Sequence, residues 1–202
     1  RRTDGERPLV ELALKGGALD LGTLSAFGGI FVYGGAGVPD LGHDLALTLD
    51  AGPVTVSGLE ADAFGLTARV KEDRADIDRL MVTNLAGASL SATGSLTDLS
   101  LTPSGTVDAS IVSADGTELV STLAAQFSGI EWLGLAADRI GATPDLLSDL
   151  QLSFIASTAP EEKDRSWTMS GNAKAASGTA SFTGNWKSAD GNLSDAEGGW
   201  QV

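Results

Sequence analysis

Apolar and polar residues alternate one for one through most of this chain, and that period admits few folds. Successive side chains of a β-strand point to opposite faces, so strict alternation gathers the apolar ones on one face. In His43-Asp44-Leu45-Ala46-Leu47-Thr48-Leu49-Asp50 that face carries Leu45, Leu47 and Leu49. Pro53-Val54-Thr55-Val56-Ser57 does the same with Val54 and Val56, and the next run aligns Phe64, Leu66, Ala68 and Val70. The polar Lys71-Glu72-Asp73-Arg74 reads as a hairpin turn. The chain returns through Ile77, Leu80 and Val82; the odd step from Ile77 to Leu80 calls for a bulge near Arg79 if one face is kept. Leu85-Ala86-Gly87, after Asn84, is a second turn. Ala88, Leu90, Ala92, Gly94 and Leu96 then alternate with Ser89, Ser91, Thr93 and Ser95. Beyond Pro103-Ser104-Gly105 come Val107, Ala109 and Ile111. Short strands joined by tight turns predict a mainly β fold, an antiparallel meander forming a twisted or curled sheet with an apolar concave face.

The period changes after Ser113. Glu118, Leu119, Val120, Leu123 and Ala124 have helical spacing, with Asp115 or Thr117 as cap. A second short helix is expected from Thr143, as N-cap, and Pro144, at the first helical position, to Leu150. Strands resume through Leu150, Leu152, Phe154 and Ala156, turn at the charged run 159–165, and continue through Trp167 and Met169 to Trp186. Ser91-Ala92-Thr93-Gly94-Ser95-Leu96 is echoed by Ser181-Phe182-Thr183-Gly184-Asn185-Trp186, which suggests an internal repeat. The expected organisation is a disordered end at 1–8, the meander over 9–113 with a Gly-rich loop at 21–39, a helical interlude over 114–150, and returning strands over 151–202, of the same sheet or of a second repeat.

Composition removes several chemistries. The chain has 13 Lys and Arg against 27 Asp and Glu, a net charge of −14, so no basic stripe for nucleic acid is expected. It has no cysteine and a single histidine, His43, which removes thiolate and multi-histidine metal sites and cysteine nucleophiles. No apolar segment follows the charged start, so no signal peptide is read there. Residues 21–38 are uncharged and approach membrane-span length, but six glycines favour a loop around Ile30-Phe31-Val32-Tyr33 over a spanning helix. Both ends read as cut, and the chain is expected to be a fragment.

The densest carboxylates are Glu72, Asp73, Asp76 and Asp78. Asp76 and Asp78 could form a calcium site or an acid–base pair. The plainer reading is an outer face beside a turn, neutralised by Lys71, Arg74 and Arg79, and no calcium-loop spacing occurs. Gly34-Gly35-Ala36-Gly37 lacks the residues of a phosphate cradle. Asn192-Leu193-Ser194 fits a glycosylation pattern of low specificity. Trp132, Trp167, Trp186 and Trp200 all lie in the second half, as core packing or as contacts to an apolar ligand. No catalytic set, cofactor site or metal site is read from the chain, and it is expected not to be an enzyme.

What remains is a one-sided apolar sheet with few aromatics to fill a core, and such a face must be covered by protein or by a ligand. The candidate lipid-groove residues are Leu45, Leu47, Leu49, Val54, Val56, Phe64, Leu66, Val70, Ile77, Leu80, Val82, Leu90 and Leu96. A structural or adhesin-like β-domain at the cell surface is the alternative; there the face would be sealed.

Particular residues carry a family resemblance. Gly58-Leu59-Glu60-Ala61-Asp62, Ala68-Arg69-Val70, Ala75-Asp76-Ile77-Asp78-Arg79-Leu80-Met81-Val82 and the run from Leu85-Ala86-Gly87 to Gly94-Ser95-Leu96 resemble the repeating strand signature of AsmA-like proteins of Gram-negative bacteria. So does the opening Leu9-Val10-Glu11-Leu12-Ala13-Leu14-Lys15-Gly16-Gly17-Ala18-Leu19-Asp20-Leu21, and the helical interlude over 119–154 is similar. The likeness covers most of 9–186 and leaves the loop 21–38 unmatched. It implies a periplasmic protein, tethered to the inner membrane by a helix of the parent protein, whose elongated curled sheet has an apolar trough. It implies a part in outer-membrane biogenesis and phospholipid movement, with phospholipid or another apolar ligand as partner. The family has no catalytic set to carry over, and the oligomeric state is left open.

Overall fold

The computed structural model describes residues 7–20, 43–56, 59–99, 104–126, 131–143, 145–161, 164–188 and 197–201. Within them the chain is mainly β, with two short helices. Ten strands form one sheet in the order β1 (Leu9–Gly16), β3 (Asp44–Ala51), β6 (Ala63–Lys71), β7 (Arg74–Leu85), β8 (Ala88–Thr97), β9 (Ser104–Asp115), β10 (Ser148–Glu161), β11 (Asp164–Ala175), β12 (Gly178–Ser188) and β13 (Glu197–Gln201). β2 (Leu19–Asp20), β4 (Val54–Val56) and β5 (Leu59–Ala61) form a second, three-stranded sheet.

From β3 to β13 every neighbouring pair is antiparallel, and tight turns explain the order. Lys71 pairs with Arg74 across Glu72-Asp73, with Glu72 at φ 50°. Leu85 pairs with Ala88 across Ala86 and Gly87, both at positive φ, the geometry whose twist matches that of the flanking strands. In β7 the pairing skips Asp78: Ile77 faces Ala68 and Arg79 faces Thr67. That bulge keeps Ile77 and Leu80 on one face despite their odd spacing. A second shift, between Val82 and Leu85, does the same around Asn84, which has φ 54°. Strands β10–β13, from the second half of the chain, extend the same sheet.

The sheet is mixed, which corrects the wholly antiparallel meander. β1 runs parallel to β3, and β2 runs parallel to β4, with one constant offset of 35 residues: Leu9 pairs with Asp44, and Leu19 with Val54. Residues 9–20 and 44–55 are thus two stacked copies of one strand-to-strand unit. Alternation carries no information about strand direction, and the long connection through residues 21–42 lets β3 restart at the same end as β1.

β4 also leaves the meander. After Ala51, Pro53 has no N–H to donate to a ladder, and a Cβ on Gly52 would stand 2.4 Å from the Asp62 carbonyl oxygen, so only glycine fits this step between the sheets. Val54 and Ala61 of the small sheet pack on Ala51 and Val82 of the large one, with Phe64, Leu85 and Leu90 around them. This is the best-sealed part of the fold; Val54 is only 1 % exposed.

Helix α1 (Gly116–Gln126) follows β9, and the Thr117 N–H donates to Asp115 Oδ1 at 2.9 Å, an N-cap. Helix α2 (Glu131–Gly141) precedes β10. The second helix therefore lies before residue 143. Asp145 and Asp149 have φ of 64° and 54°, outside the right-handed helical region, and Ser148 already pairs with Asp115 in the sheet. The Gly116 N–H donates to the Leu147 carbonyl, which ties the start of α1 to the approach of β10. The Gly-rich loop with its Ile30–Tyr33 strand, the Gly34–Gly37 run, the end 1–6 and the Asn192 pattern lie outside the described residues.

Candidate functional site

Cross-strand register decides which side chains share a face, and it gathers the apolar ones into rows running across the strands. One row runs Leu14, Leu49, Leu66, Leu80, Ala92, Ala109, Phe154, Gly171 and Phe182, from β1 to β12. The next runs Leu12, Leu47, Ala68, Ile77, Gly94, Val107, Ala156, Met169 and Gly184, with the backbone of residue 200 paired beside Gly184. A third runs Val10, Leu45, Val70, Ala75, Leu96, Gly105, Thr158, Trp167 and Trp186. A fourth holds Ala51, Phe64, Val82, Leu90, Ile111, Leu152 and Ala173. Across ten strands spaced ~4.8 Å apart, a full row is roughly 43 Å long.

Eleven of the thirteen candidate groove residues fall on these rows. Leu45, Leu47, Leu49, Phe64, Leu66, Val70, Ile77, Leu80, Val82, Leu90 and Leu96 share the face; Val54 and Val56 belong to the small sheet. The face is larger than those residues. β1 contributes Val10, Leu12 and Leu14, and β9–β12 contribute Val107, Ile111, Leu152, Phe154, Met169, Trp167, Phe182 and Trp186. The same alternation that marks the first set also runs through these strands in the sequence.

Burial is uneven along the face. At the fourth row the small sheet seals Ala51 and Val82. On the first three rows Leu49, Ala92 and Ala109 are buried, but Leu45, Leu47, Leu66, Val70, Ile77, Leu80, Leu96, Val107, Phe154, Trp167, Met169, Phe182 and Trp186 are only half-buried. Neighbours in the sheet cover their flanks, and part of each side chain stays accessible. The face also grades in chemistry. Leucines dominate at β1–β7, small residues at β8 and β9, and aromatic residues at β10–β12, where Phe154 and Phe182 close over Gly171. A Cβ at Gly171 would stand 2.7 Å from Phe154 Cβ and 2.8 Å from Phe182 Cζ.

The opposite face is mostly polar, with Met81, Val112 and Ile155 exposed on it, and it carries two close ion pairs. Arg69 bonds Asp78 at 2.6 Å, and Arg74 bonds Asp76 through two nitrogens, at 2.6 and 2.9 Å. The hydrogen bond from Arg74 holds the Asp76 carboxyl below the usual carboxylate range, the reverse of what a neutral-pH general acid needs. Hydroxyl ladders continue outward, with Ser91 Oγ 2.7 Å from Ser110 Oγ and Thr106 Oγ1 3.1 Å from Ser157 Oγ. A cleft of about 590 Å³ on this side is lined by Arg69, Arg74, Asp76, Asp78, Thr93 and Asp108.

Comparisons with family models, with curated proteins and with solved structures find no match. Among the described residues, no three carboxylate or imidazole groups stand where they could hold a metal ion. No described helix is long and apolar enough to cross a membrane. The arrangement offers a broad apolar surface on a hydrogen-bonded frame.

Proposed function

We propose that the apolar face binds the acyl chains of phospholipid or a similar apolar ligand. In this reading the chain is a non-enzymatic segment of an AsmA-like periplasmic protein that serves outer-membrane biogenesis. The observation that carries the reading is the half-buried state of three consecutive apolar rows. A sealed core would bury these side chains, and a soluble surface would not place them together. The strand-signature resemblance supports the envelope setting and the tether to the inner membrane in the parent protein.

Energetics suits a carrier surface. Each methylene moved out of water contributes ~0.8 kcal/mol, so a chain of about fourteen methylenes is worth roughly 11 kcal/mol fully buried and about half of that on one open face. That favours loading from water and still allows movement along the rows. The sheet curls in this reading, with the apolar face concave around the chain. The net charge of −14 keeps the body of the protein off anionic lipid surfaces.

Native mass spectrometry of protein purified from cell membranes tests this. Adducts at phospholipid masses are expected. A clean apo spectrum, together with no uptake of a fluorescent fatty acid, overturns the reading.

A further inference from the structure

The edge strand β1 carries a self-complementary pattern. All eight of its residues are exposed. Among the described residues it pairs with β3 alone and ends the sheet order. The Pro8 carbonyl accepts from the Asp44 N–H at 2.9 Å, which sets the phase of the ladder. Even-numbered residues turn their backbone groups toward β3, so Leu9, Glu11, Ala13 and Lys15 turn theirs outward. An open row of donors and acceptors is a template for another strand.

The side chains select which strand. Consider two copies of β1 placed antiparallel about a two-fold axis normal to the sheet at Ala13. Residue 11 then opposes residue 15 of the other copy, and residue 12 opposes residue 14. Glu11 meets Lys15 twice by symmetry on the polar face, and Leu12 meets Leu14 twice on the apolar face. Ala13 faces Ala13, so nothing bulky crowds the axis. The outward-turned residues 11, 13 and 15 fall opposite one another, which is the hydrogen-bonded phase of an antiparallel ladder. The axis keeps apolar rows on one side in both copies, so Val10, Leu12 and Leu14 continue the rows into the partner. The edge holds one Glu and one Lys, so it is locally neutral although the whole chain carries −14.

We infer that β1 is a homodimerisation edge, which joins two copies of this chain antiparallel at Ala13 into one continuous sheet through reciprocal Glu11–Lys15 pairs. The inference stands on the edge alone and holds whether or not the apolar face carries acyl chains.

Sedimentation velocity over a concentration series tests it, with circular dichroism as the check on folding. The wild-type chain shifts from monomer to dimer as concentration rises. Glu11→Lys and Lys15→Glu each set like charges opposite one another twice and weaken the dimer about tenfold or more. The double exchange E11K/K15E restores the attraction and brings the dimer back. Ala13→Pro removes the central outward donor from an edge position where proline is tolerated, so it stays folded and monomeric. A wild-type monomer throughout the series overturns the inference. So does a double exchange that remains as weak as the single ones, or a dimer that survives Ala13→Pro.

Discussion

Trp167 of β11 and Trp186 of β12 lie directly opposite one another in the antiparallel register, both half-buried on the apolar face. Cross-strand aromatic pairs contribute about 0.5–1 kcal/mol beyond the area they bury. A double-mutant cycle of Trp167→Ala and Trp186→Ala, read by urea unfolding, is therefore expected to show a coupling of that size. Additive effects would mean that the rings do not pack on each other.

The face is sealed at one end and open further along, and aspartate substitutions separate the two regions. Leu90 packs on the cluster of Ala51, Val54, Ala61 and Val82. Leu90→Asp places an unpaired charge in that cluster and is expected to cost several kcal/mol, enough to lower the melting temperature sharply. Leu66 is half-buried on the open rows. Leu66→Asp is expected to leave a cooperative melt while abolishing uptake of a fluorescent fatty acid.

Val54 is a further control, because it holds the small sheet down without facing the open rows. It is 1 % exposed. Val54→Ala should cost about 2 kcal/mol in urea unfolding, from lost burial and the cavity left behind. Fatty-acid uptake by the folded fraction should be unchanged.

Two carboxyls make stability fall in acid. Asp115 is held below its ordinary value of 3.8 by hydrogen bonds from the Thr117 hydroxyl and N–H, and Asp76 by the hydrogen bond from Arg74. A carboxyl with a depressed folded pKa contributes stability that is complete above its unfolded value and is lost as pH falls through its folded value. Melting temperature should therefore be flat near neutrality on this account and decline below about pH 4. Asn also caps helices well, so Asp115→Asn should leave the neutral-pH melt nearly unchanged and flatten part of the acid decline.

Much of this architecture is legible in the alternation. The bulge that rescues the odd step between Ile77 and Leu80, the turns at Glu72-Asp73 and Ala86-Gly87, and the Asp115 cap all follow from local chemistry. The echo between residues 91–96 and 181–186 also gains meaning: Ala92 and Phe182, Gly94 and Gly184, and Leu96 and Trp186 share rows four strands apart. The parallel pairing of β1 with β3 is not legible, because a period of two reads the same in either direction. Nor is the departure of Val54 and Val56 to a second sheet, since their pattern matches that of any other strand and the decision falls at Gly52-Pro53 and on a distant carbonyl at Asp62. Helix α2 was hidden for a different reason. Thr143-Pro144 looks like a helix start, yet Asp145 and Asp149 adopt left-handed conformations that the tertiary structure imposes.

The central claim is that the apolar rows receive an acyl chain, and tryptophan quenching by a brominated fatty acid tests it most directly. In a Trp132→Phe, Trp200→Phe background the only indoles left are Trp167 and Trp186, both on the third row. The account predicts saturable quenching that Leu66→Asp removes. Emission unaffected by the brominated chain at every concentration, from a protein that is folded, would contradict it.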